Sequence, residues 1–266
     1  MTPEELLHQG DPEAALVALQ DRVRAQPSVA KLRVFLFQLL CILGQWERAR
    51  TQLKVLSDLD ASTLAMVNVY GRALSCETLR EEVFAGRRTP LILGEPLAWV
   101  AAMVEALDLE SRGEYTQACE VRAKALEHAV AVPGSIDGAG FEWIADADPR
   151  LGPVCELLID GKYYWVPFER IELITIEKPE DLRDLVWLPA NVRLTNSGEW
   201  AALIPARYPG SESDSDGAVR LARKTVWNEI AGELYHGRGL RVFATDQGEY
   251  PLAGTSRIEL HHGQEH

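Results

Sequence analysis

Three segments, Gly10-Asp11-Pro12-Glu13-Ala14-Ala15, Gly44-Gln45-Trp46-Glu47-Arg48-Ala49 and Gly113-Glu114-Tyr115-Thr116-Gln117-Ala118, follow one pattern. Each begins with a glycine, has a proline or aromatic ring two positions later and has an alanine five positions later. Gly44 follows Gly10 by 34 residues, and Gly113 follows Gly44 by 69, about two steps of the same length. Because a fixed period of this size indicates stacked helical units, these segments decide the fold of the first half of the chain.

The physical chemistry of a helical hairpin accounts for each repeated position. Glycine tolerates the left-handed conformation that ends a helix, which predicts turns at Gly10, Gly44 and Gly113. A ring such as Trp46 or Tyr115 fills the corner of the hairpin, and a small alanine lets the two helices approach closely. These alanines are Ala15, Ala49 and Ala118. The pattern resembles the tetratricopeptide repeat.

The array is interrupted in its middle. No glycine turn follows Leu74 at the expected spacing, and residues 86–96 have the composition of a loop. We predict an all-helical domain over residues 1–132, either a tetratricopeptide-like array with a concave groove or an irregular helical bundle. If the groove exists, its candidate partner-binding residues lie on the first helices of the pairs. They are Phe37, Gln38, Asn68 and Tyr70.

The second half, residues 133–266, has a different character. Glycine, proline and tryptophan become more frequent, and short β-branched or aromatic runs alternate with turn signals. Asp160-Gly161 is a strong two-residue hairpin signal between two such runs. We predict a small α+β domain with an antiparallel sheet, so that the whole chain is a two-domain α+β protein. Strands are expected at 154–159, 162–166, 170–176, 199–204, 240–245 and 257–260, and a helix at 218–234.

The composition excludes several classes of protein. A formal net charge of −13 opposes binding to nucleic acid and favours a partner with a basic or apolar face. No apolar run is long enough to span a membrane, and the first residues lack the features of a signal peptide, so we expect a cytoplasmic protein without membrane insertion. The four cysteines contain no Cys-x-x-Cys pair. No cofactor is expected.

An acidic group near the start of the second half is the main candidate for metal chemistry. Asp146, Asp148 and Asp160 lie close in sequence, together with Glu142. A turn-and-cap role is favoured over a metal site, because no glycine-centred calcium loop is present and Arg150 can neutralise a carboxylate. We therefore predict no metal and no catalytic residues, and keep a metal-dependent hydrolase centred on Asp146 and Asp148 as the alternative.

The second half also carries four long phrases, in order. They are Phe141-x-Trp143-x-x-Asp146-Ala147-Asp148-x-Arg150-Leu151-Gly152-Pro153, Gly161-x-Tyr163-Tyr164-Trp165-Val166-Pro167, Arg183-Asp184-Leu185-Val186-Trp187 and Ile204-Pro205-x-Arg207-Tyr208-Pro209. With the repeat before them, they resemble the ImpE family, also called TagJ or SciE, of type VI secretion accessory proteins. The resemblance implies a partner, the small sheath subunit TssB bound through its N-terminal helix, and an indirect link to the ATPase ClpV. It implies no catalytic residues.

Three hypotheses follow. The first is a non-catalytic adaptor whose helical groove holds an amphipathic helix of a sheath subunit, and the second is the hydrolase alternative. The third gives the second domain an architectural role, in which its sheet edge or aromatic surface mediates formation of a homo-oligomer.

Overall fold

The computed structural model of the protein describes residues 1–232 and 234–262. The first half is helical, as predicted, except for one two-residue strand at Leu91–Ile92. Its helices are α1 (Pro3–His8), α2 (Pro12–Ala25), α3 (Ala30–Ile42), α4 (Trp46–Leu59), α5 (Leu64–Phe84), α6 (Ala98–Ser111) and α7 (Tyr115–His128). Each of the first four helices packs against the next one, and α6 packs against α7.

Left-handed glycines separate the paired helices. Gly10, Gly44 and Gly113 have φ angles of 83°, 65° and 78°, and each lies between two helices of a pair. Gly86 has the same conformation, with φ of 70°, just after α5. The spacing of the repeat does not predict this turn, because α5 extends over 21 residues and moves its glycine away from the expected position. A short strand, and not a second helix, follows it.

The alanines and rings of the repeat occupy different environments. Ala15, Ala49 and Ala118 are fully buried, as close contact between helices requires. Trp46 is also buried, and its indole nitrogen donates a hydrogen bond to Glu81 over 2.6 Å. Tyr115, by contrast, is exposed.

The second half is built on a large mixed sheet, which confirms the predicted α+β class. The strands are β1 (Leu91–Ile92), β2 (Gly134–Ile136), β3 (Ala139–Phe141), β4 (Ile144–Asp146), β5 (Val154–Ile159), β6 (Lys162–Pro167), β7 (Ile171–Ile176), β8 (Trp187–Leu194), β9 (Glu199–Pro205), β10 (Thr225–Ala231), β11 (Leu234–Gly239), β12 (Val242–Thr245), β13 (Gly248–Pro251) and β14 (Arg257–Leu260). Nine of them form one sheet in the order β1-β6-β5-β9-β8-β7-β14-β2-β3. β1 comes from the helical half and pairs in parallel with β6, whereas the other pairs in this sheet are antiparallel.

The large sheet has a core on each side. All six residues of β5 are buried, and alternate ones face opposite directions. Val154 and Leu158 join the core shared with the helices, while Leu157 and Ile159 join a second core. The second core also takes in Phe243 and Leu252, from β12 and the turn after β13; a three-stranded sheet of β13, β12 and β4 lies in this region. The helical array therefore packs on one face of the sheet.

The predicted helix over residues 218–234 is wrong. Only α8 (Gly217–Arg220) is helical there, and Ala222 then takes a left-handed conformation with φ of 51°. β10 and β11 follow as a separate two-stranded hairpin. The reason is local, because Thr225, Val226 and Trp227 are β-branched or aromatic and favour an extended chain.

Candidate functional site

The helical face expected to form an open groove is largely covered by the sheet domain. Phe37 has none of its surface exposed and packs against the ring of Tyr70, with centroids 6.0 Å apart. Gln38 is also buried. Arg207 reaches across from the sheet domain and donates hydrogen bonds to the carbonyl oxygens of Cys41 and Ile42 at the end of α3. Phe37 and Gln38 are thus buried inside the protein, and their side chains are not accessible to a partner in this conformation.

An open cleft remains between the N-terminal half of α5 and the sheet. Its volume is about 730 Å³, and we call it the α5 cleft. Asn68 and Tyr70, the other two predicted groove residues, both line it. Its lining consists of Ala65, Met66, Asn68, Val69, Tyr70, Arg72 and Ala73 from α5, and Leu158, Asp160, Gly161, Glu177, Arg183, Pro189, Ala190, Asn191, Ala201, Ala202 and Leu203 from the sheet domain.

The α5 cleft has a small-residue floor and an apolar wall. Four of the eleven residues that line the cleft from the sheet domain are small, namely Gly161, Ala190, Ala201 and Ala202, so the floor leaves room above them for bulky side chains from a ligand. On the helix side, Val69 has 49% of its surface exposed although it is aliphatic. The stretch from Ala65 to Ala73 extends about 12 Å along the helix axis, a length of roughly two helical turns. The cleft therefore matches the size and polarity of one face of a short amphipathic helix.

Aromatic packing fixes one side of the cleft. The guanidinium of Arg183 lies 4.9 Å from the ring centroid of Tyr70, and the ring of Trp187 lies 5.8 Å from the same ring. Arg183 also forms an ion pair with Asp181. Burial raises the pKa of Tyr70, so its phenol is neutral at physiological pH. No local sequence pattern marks Arg183 and Trp187 as neighbours of Tyr70, so this cluster could not be predicted from the sequence.

A buried ionic network holds α5 against the sheet. Arg80 of α5 donates two hydrogen bonds to Glu156 of β5, over 2.6 and 2.9 Å, and Tyr163 donates a third to the same carboxylate. Arg241 adds an ion pair at 3.2 Å. Burial alone acts to raise the pKa of Glu156, but Arg80 and Arg241 outweigh it and hold the pKa below its ordinary value. The carboxylate is therefore charged, and it holds one wall of the cleft region in place.

A second pair of contacts extends this network along α5. The indole nitrogen of Trp187 donates a hydrogen bond to Glu77 over 2.7 Å. Glu77 also lies 3.6 Å from Arg80. Burial raises the pKa of Glu77 in spite of these partners. The wall of the α5 cleft is thus rigidly connected to the sheet that forms its floor.

Asp146 and Asp148 are structural residues. Asp146 accepts two hydrogen bonds from Arg241, over 2.9 and 2.8 Å, and another from the backbone of Asp148. Asp148 accepts hydrogen bonds from the backbone and side chain of Arg150 and from the backbone of Gly237. Their exposed fractions are 3% and 0%, and neither lines the α5 cleft. The hydrolase alternative centred on them is contradicted, because each carboxylate is buried and committed to an arginine.

The described residues, 1–232 and 234–262, contain neither a cluster of potential metal ligands nor a helix suited to span a membrane. These residues contain no group of three or more histidine, cysteine, aspartate or glutamate side chains placed to hold a metal ion. None of their helices combines the length and the apolar composition that crossing a bilayer requires.

Comparison with known proteins identifies the family. The family model described as "ImpE protein" matches residues 138–259. The type VI secretion system accessory component TagJ of Pseudomonas aeruginosa is 51% identical over 260 residues, which cover 98% of this chain and 91% of that protein. A crystal structure of protein VPA1032 from Vibrio parahaemolyticus superposes with a TM-score of 0.91 at 26% identity, over 98% of each chain. Because the similarity to TagJ extends over nearly the whole sequence, the chain belongs to the ImpE family of type VI secretion accessory components.

Proposed function

We propose that this protein is a non-catalytic adaptor of the type VI secretion system that holds the N-terminal helix of the small sheath subunit TssB in the α5 cleft. It acts in the cytoplasm, and its link to the ATPase ClpV is indirect, through the sheath. The observation that carries the proposal is the cleft itself, an open, partly apolar site of about 730 Å³ with one helical wall. Membership of the accessory family supports an adaptor role.

The geometry of the cleft favours a helix over a small molecule. A helix lying beside α5 would bury Val69 and the floor residues Ala201 and Leu203 against its apolar face. The sheet surface beyond the cleft is polar, because Arg193 pairs with Glu172 at 3.0 Å and faces Glu199 across the strands. The apolar contact is therefore confined to about two turns of a partner helix, as expected for a short recognition segment.

Calorimetric titration with a peptide of the sheath subunit's N-terminal helix tests the proposal. We expect saturable binding to the full chain, and at least roughly tenfold weaker binding to the Val69→Asp variant, because a carboxylate would have to lose its water in an apolar contact. Val17→Asp is the matched control. Val17 is an aliphatic helical residue with 63% of its surface exposed on α2, outside the cleft lining, and its variant should bind like the unmodified protein.

Two results would count against the proposal. A titration in which the peptide shows no binding to the full chain would exclude the sheath helix as the partner. Equal binding by the Val69 and Val17 variants would move the site away from the α5 cleft. Thermal melting of both variants serves as the folding check.

A further inference from the structure

The two sides of the α5 cleft differ in charge. On the side beyond β8, Glu177 lines the cleft, and Glu180 and Asp181 follow it closely. No salt bridge is formed by Glu177 or Glu180 within the part of the chain that the structure describes, whereas Asp181 is paired with Arg183. Besides Arg183, this segment contains one other cationic residue, Lys178. We call this side the acidic rim.

The opposite side carries an arginine without an ionic partner. The alkyl chain of Arg72 lies over Gly161, because a Cβ atom on that glycine would come within 2.5 Å of the arginine Cδ. Arg72 forms no salt bridge among residues 1–232 and 234–262, although Asp160 lies next to Gly161 in the cleft lining. Lys162 begins β6 directly after this turn. We call this side the basic rim.

The sheet sets the distance between the two rims. The basic rim lies at the end of β5, and β9 and β8 follow in the sheet. The backbone nitrogen of Glu177 donates a hydrogen bond to the carbonyl of Pro189 in β8, so the acidic rim lies one strand further. The two rims are therefore separated by three strand spacings, from β5 to β9, from β9 to β8 and from β8 to the residue after β7, which together measure about 14 Å. An α-helix with its side chains is about 10–12 Å wide, so a helix in the cleft can reach both rims at once.

We infer that Glu177 with Glu180 on one rim and Arg72 on the other select the partner by charge, so that the bound helix has a basic flank facing the acidic rim and an acidic residue facing Arg72. The inference rests on the proposed function and adds the charge pattern that the partner must carry. Bulky apolar residues between the two flanks fill the space above the small-residue floor. A helix with the reverse charge pattern is repelled at both rims.

Double-mutant cycles with the sheath-subunit peptide test this inference. On the protein side, the variants are Glu177→Lys with Glu180→Lys, and Arg72→Glu. On the peptide side, each basic residue is changed in turn to glutamate and each acidic residue to lysine. At about 50 mM salt we expect the acidic-rim variant to bind the unmodified peptide roughly fivefold more weakly, and at about 500 mM salt the loss should largely disappear.

The coupling pattern decides the outcome. One basic-to-glutamate peptide should regain affinity with the acidic-rim variant, and one acidic-to-lysine peptide should regain it with Arg72→Glu. The matched control, Glu120→Lys with Glu127→Lys, makes the same charge change at exposed positions of α7 and should leave affinity unchanged. Absence of coupling, or coupling in the opposite sense, overturns the charge pattern while the proposed function stands. If the unmodified peptide does not bind at all, both fail.

Discussion

The fold shifts the pKa values of Asp146 and Asp148 in opposite directions, although these residues lie only two positions apart. Burial raises the pKa of Asp146 to about 6, even though Arg241 donates two hydrogen bonds to it. Burial acts on Asp148 in the same direction, but Arg150 outweighs it and holds the pKa below its ordinary value. From the sequence, Arg150 was predictable as a neutralising neighbour, whereas Arg241, nearly a hundred residues away, was not.

The raised pKa of Asp146 predicts a pH-dependent stability. The folded pKa lies above the unfolded value of 3.8, so the folded state binds the proton more tightly. The resulting stabilisation is fully present below about pH 4 and is lost as the pH rises through about 6, a change of about 3 kcal/mol. Urea unfolding of the wild type and of Asp146→Asn at pH 4 and pH 7 measures it. The wild type should lose stability relative to the variant over this range, and a difference independent of pH would contradict the assignment.

At the level of elements, the glycine turns show what the sequence could and could not predict. Gly10, Gly44 and Gly113 were found because their period and neighbours repeat. Gly86 has the same backbone conformation but lies 42 residues after Gly44, since α5 continues past the usual length. The hairpin at Asp160-Gly161 was also found, because its signal is local. The β10–β11 hairpin was missed because apolar residues there also fit a helical period.

Gly86 and Gly113 give a matched pair of substitutions. Both have positive φ, so alanine costs about 1–2 kcal/mol of backbone strain at either site. A Cβ atom at Gly113 meets nothing within 4 Å, whereas at Gly86 it would approach Ser111 Cβ to 2.8 Å and the backbone of Asp108 to 3.1 Å. Urea unfolding should therefore show Gly86→Ala to be the more destabilising by about 1 kcal/mol or more. Equal losses of stability in the two variants would mean that the loop after α5 moves away from Ser111 and Asp108 without cost.

At the scale of the whole molecule, the helical array and the sheet share one core. Residues from α1 through α7 form a continuous buried cluster with Leu158, Trp165 and Trp187 of the sheet. The sequence predicted two domains, with a boundary near residue 132, because composition changes there. It could not predict their docking, since that depends on contacts such as Arg80 with Glu156, which lie 76 residues apart. The same docking fills the expected groove and leaves the α5 cleft beside it.

A shared core predicts one cooperative unfolding transition. Five of the seven tryptophans lie in the second half, so tryptophan fluorescence reports mainly on that half, while circular dichroism at 222 nm reports mainly on the helices. Both signals should give the same midpoint in urea. Two separate midpoints would show that the halves are independent domains, and the rigid connection between α5 and the floor of the cleft would then have to be abandoned.

Hydrogen exchange of the full chain with and without the sheath-subunit peptide tests the central claim most directly. Binding in the α5 cleft should slow exchange in residues 65–73 of α5 and in residues 158–161, 189–191 and 201–203 of the sheet. The face of α6 that borders the loop at residues 86–92 should be unaffected, although it lines a second depression of about 820 Å³. Slowed exchange at that second depression, with none along α5, would contradict the account.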